Sequence, residues 1–108
     1  MNAKTFDLKV DESVQEFVRS LEKPTISKFT KLTDLLQQFG NNLRMPYSKS
    51  LGNSLFELRI RGKQEVRIFY TFHKDKAVLL HGFAKKTQKT PIKEIETAIK
   101  KLKMLNSI

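Results

Sequence analysis

Three short runs in the C-terminal half collect side chains that could handle phosphate. In Leu55-Phe-Glu-Leu-Arg-Ile-Arg61, strand pleating sends Phe56, Leu58 and Ile60 to one side and Glu57, Arg59 and Arg61 to the other. In the next run Val66, Ile68, Tyr70 and Phe72 form one row and Arg67, Phe69, Thr71 and His73 the opposite row, so Arg67 is predicted to join Arg59 on one open face. Clustered arginines suit phosphate because each planar guanidinium can donate two parallel hydrogen bonds. The third run ends in Lys85 and Lys86, followed by Thr90-Pro91 and a helix whose N-terminus attracts anions. A phosphate held among Arg59, Arg67, Lys85 and Lys86 would have its developing charge stabilised by fixed donors. Glu57, flanked by arginines, is the candidate base of such a site.

Elsewhere the chemistry is sparse. His73 and His81 lack metal-ligand spacing, there is no glycine-rich phosphate loop, and no cysteine is present, so neither metal nor cofactor is expected. His81, amid Leu79, Leu80 and Phe83, reads as a hydrogen-bonded structural residue, and His73, near a turn, as exposed. Phe69 and Phe83 could stack a base, although core packing is the better reading of both.

The elements that must position these groups follow from periodicity. Phe6, Leu8 and Val10 alternate as a short strand. Ser13 and Glu16 have capping-box spacing, with Val14, Phe17, Val18 and Leu21 behind them, which predicts a helix ending before Pro24. A second helix starts near Thr25, turns Ile26, Phe29, Leu32, Leu36 and Phe39 inward, and stops at Gly40. Residues 41–54 read as a loop whose Tyr47 and Lys49 could line the site. Strands Leu55 to Arg61, Glu65 to Lys74 and Ala77 to Ala84 are joined by Gly62-Lys63-Gln64 and Asp75-Lys76, joints short enough to force an antiparallel meander. Thr90 as N-cap and Pro91 at the first helical position open a last helix with Ile95, Ala98, Ile99 and Leu102 inward. The predicted fold is α+β, in the order β-α-α-β-β-β-α, with one antiparallel sheet and helices packed on one face.

The 108 residues make one domain, 1–108, and 39% hydrophobic residues suffice for its core without staples. No apolar run has the length of a signal peptide or a membrane span, and the lack of cysteine suits a reducing compartment, so a cytoplasmic location is expected. The net charge is +10, and it is uneven: residues 1–54 carry +2 and residues 55–108 carry +8. A polyanion meeting the C-terminal half is the expected partner.

Leu55-Phe-Glu-Leu-Arg59, Val66-Arg-Ile-Phe-Tyr70 and Leu79-Leu-His-Gly-Phe-Ala-Lys-Lys-Thr-Gln-Lys-Thr-Pro91, followed by Glu94-Ile-Glu-x-Ala98, resemble the phage-related, HigB-like branch of the RelE/HigB toxins. The likeness spans roughly residues 40–100, and Gly82 to Pro91 is its most specific part. It implies the toxin of a bacterial type II toxin-antitoxin system, a ribosome-dependent mRNA endonuclease in which a 2'-hydroxyl attacks the adjacent phosphate without a metal. It implies as partners the ribosome, mRNA and a cognate antitoxin, a helix-turn-helix HigA-like protein. It places Arg59, Arg67, Lys85 and Lys86 at the family's basic site residues; beside them the other basic side chains of this surface, Lys49, Arg61, Lys89 and Lys93, are expected to bind RNA. Many relatives carry a tyrosine or histidine near the C-terminus; Met104-Leu-Asn-Ser-Ile108 has neither. The alternatives are a ParE-like toxin that inhibits DNA gyrase by binding, and a plain nucleic-acid-binding module. A lone strand arginine usually just solubilises its face, and Arg61, beside a turn, is closest to that; Lys93, Lys100, Lys101 and Lys103 read as a helix face that steers RNA at long range.

Overall fold

A computed structural model describes residues 6–107; Met1 to Thr5 and Ile108, the ends of the expected single domain, lie outside the described residues. The elements are β1 (Asp7–Val10), α1 (Glu12–Arg19), α2 (Lys23–Phe39), β2 (Ser48–Gly52), β3 (Leu55–Ile60), β4 (Val66–His73), β5 (Lys76–Ala84) and α3 (Ile92–Asn106), with a 3-10 turn at Gly40–Asn42. The architecture is α+β, built on one five-stranded sheet in the order β1-β5-β4-β3-β2.

Three expectations are corrected. The sheet is mixed, because β1 runs parallel to β5 while the other neighbours are antiparallel. The two helices between β1 and the meander return the chain so that β1 can add to the far edge in that sense. The segment 41–54 contains a strand, β2, whose Ser-Lys-Ser-Leu-Gly carries little apolar alternation because it is an edge strand. It is closed onto β3 by Asn53-Ser54, both in the left-handed region at φ 53° and 66°, the backbone a two-residue hairpin requires. The β4–β5 turn likewise sits at Lys74-Asp75, one residue earlier than expected, with φ 49° and 63°.

Nor do the helices share one face. Helices α1 and α2 cover the side carrying Leu58, Ile60, Val66, Ile68, Tyr70 and Leu79, whereas α3 lies on the other side, burying Ala98 and Leu102 against Leu55, Phe69, Val78, Leu80 and Phe83. The central strands β4 and β5 are apolar on both faces, so each face needs a cover. A bulge in β5 helps: Phe69 pairs with His81 and Tyr70 with Leu79, leaving Leu80 extra. Leu80 packs toward α3 while His81 stacks on Phe69, so two consecutive residues serve one face.

Helix ends differ from the spacing in detail. Asp11, not Ser13, caps α1, its carboxylate accepting from the Ser13 N–H and hydroxyl. Helix α2 starts at Lys23 with Pro24 inside its first turn, where the missing N–H costs nothing. Phe39 and Ile99, expected inward, are largely exposed, and Thr33 is buried instead. Gly40 does close α2 at φ 52°, and the Phe6 ring lies where a Cβ would stand.

Candidate nucleic-acid interface

Strands β3 and β4 build the site by register. Arg59 stands opposite Arg67 and Glu57 opposite Phe69, and on the other side of β3 Lys49 stands opposite Glu57. Two like charges facing each other across a ladder repel. Glu57 offsets this: its Oε1 lies 3.7 Å from Arg59 Nε and 3.8 Å from Arg67 Nε. Neither approach is a hydrogen bond, and among the described residues both buried Nε atoms lack an acceptor. The carboxylate is thus shared by two guanidiniums at slightly long range.

Arg67 was expected to offer its guanidinium on an open face; it is only 2% exposed, the largest fully buried side chain among the described residues. The cause is position: β4 is the central strand, with β3 and β5 on its two sides. Its Nη1 donates to the Val66 carbonyl at 3.1 Å and its Nη2 lies 3.4 Å from Glu65 Oε1. Glu65, unremarked in the sequence, therefore belongs to the cluster. A strand places residues i and i+2 on one side, and that spacing before Arg67 was the available signal. Its Oε2 accepts the Gly62 N–H at 3.0 Å and Arg61 Nε lies 3.7 Å from Oε1. The Gly62 N–H, aided by Arg67 and Arg61, outweighs partial burial and holds the Glu65 carboxyl below its usual range.

Thr90 is the other missed member. Its hydroxyl donates to Glu57 Oε2 at 3.3 Å, so it ties the segment after β5 to β3 and does not cap α3, whose N-cap is Pro91. Glu57, 5% exposed, has both oxygens facing partners.

Beside this buried clamp opens a cleft of ≈ 590 Å³ lined by Arg59, Arg61, Glu65, Arg67, Lys85, Lys86, Thr87 and Gln88. Five cations face two carboxylates around it, Glu57 and Glu65, and both are already engaged by arginines. Lys85 is fixed by its backbone, its N–H donating to the Glu65 carbonyl at 2.7 Å. Lys86 is exposed. The structure thus brings Arg59, Arg61, Arg67, Lys85 and Lys86 together with Glu57, but Lys49, Lys89 and Lys93, all exposed, lie outside the cleft lining. Arg59 reaches outward, its Nη1 3.3 Å from Met45 Sδ. Such a surface attracts a polyanion and can grip a phosphate with Arg59, Arg61, Lys85 and Lys86.

His81 has the structural part its setting suggested, half-buried beside the Phe69 and Phe83 rings with Nε2 2.8 Å from Glu94 Oε1, and so tying β5 to α3. His73 is half-buried, not exposed. Phe69 and Phe83 are core residues. Gly82, at the start of the most specific sequence run, is needed for packing: a Cβ there would lie 2.7 Å from Ile68 Cδ1 and 2.8 Å from the Phe17 ring. Among the described residues no group of three His, Cys, Asp or Glu is arranged to hold a metal, and no helix is long and apolar enough to cross a membrane.

A comparison with curated proteins finds no match. The family described as phage-derived Gp49-like protein (DUF891) matches residues 16–103, from the body of α1 through nearly all of α3 and including every residue of the cleft. That family lies within the RelE/toxin-like superfamily, with which the mixed sheet and three helices are compatible. The chain belongs to the phage-derived Gp49-like protein family, and its cationic cleft is set in a toxin-like α+β scaffold.

Proposed function

We propose that this chain is the toxin of a type II toxin-antitoxin pair, of the HigB-like branch, and that it cleaves mRNA on the ribosome. The observation that carries the reading is the cleft beside β3 and β4, where Arg59, Arg61, Lys85 and Lys86 surround a space of ≈ 590 Å³ and, among the described residues, pair with no carboxylate beyond Glu57 and Glu65. In the reaction the 2'-hydroxyl gives up its proton to solvent water and forms a bond to phosphorus as the bond to the 5'-oxygen of the next nucleotide breaks. Charge grows on the phosphoryl oxygens, where fixed cations in a partly dry site lower the barrier most. Arg59, Lys85 and Lys86 contact the phosphate, and Lys85 or Lys86 supplies the proton for the leaving oxygen. Glu57 lies too deep to reach a substrate hydroxyl without displacing Thr90. Its part, with Arg67, is to hold Arg59 in place. Lys49, Lys89 and Lys93 bind RNA outside the cleft. The inhibiting partner is a helix-turn-helix antitoxin.

The test is induced expression of the wild type and of a Lys85→Ala/Lys86→Ala variant, with mRNA ends mapped in the first minutes. Cleavage at codon boundaries that the double substitution abolishes is the expected result. Growth arrest with intact transcripts and altered DNA supercoiling would replace this reading with gyrase inhibition.

A further inference from the structure

We infer that Tyr47 is a stacking platform for the nucleobase next to the phosphate held by Arg59. This rests on the RNA reading of the cleft and names a subsite within it. The Arg59 N–H donates to the Tyr47 carbonyl at 2.8 Å, continuing the β2–β3 ladder one step beyond the Ser48–Leu58 pair. Ser48 points into the core, where its hydroxyl bonds Tyr70. Tyr47, the turn residue just before β2, is exposed where Ser48 is buried, and its backbone lies about one strand spacing (~4.8 Å) from Arg59 in β3.

Two further observations point to a ligand. Tyr47 is 44% exposed, and among the described residues its ring has no aromatic neighbour and its hydroxyl no hydrogen bond. An aromatic ring left bare beside a cation cluster is unusual for a surface that needs only solubility. The ring is also held on a fixed backbone: the Tyr47 N–H donates to the Arg44 carbonyl at 3.0 Å and the Ser48 N–H to the same oxygen at 3.2 Å. Meanwhile the contact of Arg59 Nη1 with Met45 Sδ turns the guanidinium toward this very loop. A phosphate on Arg59 would thus sit next to the Tyr47 loop, which also carries exposed Arg44 and leads into exposed Lys49. Bases stack on such a platform with little regard to sequence because every base has a π-face.

The composition makes this directly readable. The chain has two tyrosines and no tryptophan, and Tyr70 is buried. In a Tyr70→Phe background Tyr47 is the only strong emitter. We would titrate this protein with a short, non-cleavable 2'-O-methyl RNA and, in parallel, with inorganic tripolyphosphate. The expected result is quenching of Tyr47 emission by RNA but not by tripolyphosphate. Tyr47→Ala should weaken RNA binding about ten-fold, leave tripolyphosphate affinity unchanged, and be rescued by Tyr47→Phe, which keeps the ring. RNA binding that leaves the emission unchanged and is indifferent to Tyr47→Ala overturns the subsite while leaving the phosphate cleft standing. Equal losses in Tyr47→Phe and Tyr47→Ala overturn it too, by assigning the hydroxyl in place of the ring. If neither RNA nor tripolyphosphate binds, the RNA reading of the cleft is refuted and the subsite with it.

Discussion

Removing the Arg67 guanidinium should destabilise the fold before it affects any chemistry. Arg67 is 2% exposed, with Glu57 at 3.8 Å and Glu65 at 3.4 Å. Breaking a buried ion pair from one side costs about 3–5 kcal/mol, because the partner is left uncompensated. Here both partners keep other contacts, Glu57 with Arg59 and Thr90 and Glu65 with Gly62 and Arg61, which argues for the lower end. Arg67→Ala is therefore expected to cost about 3 kcal/mol, a large share of the ~5–15 kcal/mol that a domain of this kind possesses. At roughly 4 °C per kcal/mol for a domain near 100 residues, Tm falls by about 12 °C. Urea denaturation followed by far-UV circular dichroism measures the same loss as a midpoint lowered by about 1–2 M with an unchanged slope. Arg67→Met, which keeps the apolar stem volume, should lose less, and a cycle with Glu57→Gln should show a coupling of at least ~1 kcal/mol. An Arg67→Ala protein within about 1 kcal/mol of wild type, or a coupling indistinguishable from zero, would refute the clamp and return Arg67 to the role of a free phosphate ligand.

Thr90→Val removes the hydroxyl that reaches Glu57 and should cost about 1 kcal/mol in urea denaturation, with Thr90→Ser close to wild type. Gly82→Ala forces a methyl against Ile68 and the Phe17 ring and should cost about 1–3 kcal/mol, an effect that trimming Phe17 to Leu partly relieves in the same assay. Stability against pH should decline at both ends. For Asp11 burial pushes the carboxyl up, but hydrogen bonds from Ser13 and Lys101 outweigh it and the net shift is downward, as for Glu65. Stability from these two depressed groups is complete above their ordinary values of 3.8 and 4.5 and is lost as pH falls below them, and Asp11→Asn with Glu65→Gln should flatten that limb of a denaturation series. Tyr70 is shifted the other way by burial, against the opposing bond from Ser48, so its contribution is complete below its ordinary value of 10.0 and fades as pH rises above it; Tyr70→Phe should remove that decline.

What could be read from the sequence was whatever depends on near neighbours along the chain. The alternation in Leu55 to Ile60 and Val66 to His73 specified the strands and set Glu57, Arg59 and Arg67 on one side, because a pleat has only two sides and the apolar row must take the core. Helix periods, the stop at Gly40 and the charge imbalance toward the C-terminal half were legible for similarly local reasons. What the tertiary structure decided were contacts between distant segments. Thr90 meets Glu57 from 33 residues away, and α3 covers the side of the sheet that looked open. Strand β2 exists because β3 offers it a ladder, since its own side chains carry little apolar pattern. Above all, pleating tells which way Arg67 points but not what lies on either side of it. Placing β4 in the middle of the sheet turned an expected surface guanidinium into a buried one, and so set Arg67, which holds the site, apart from Arg59 and Arg61, which face the cleft.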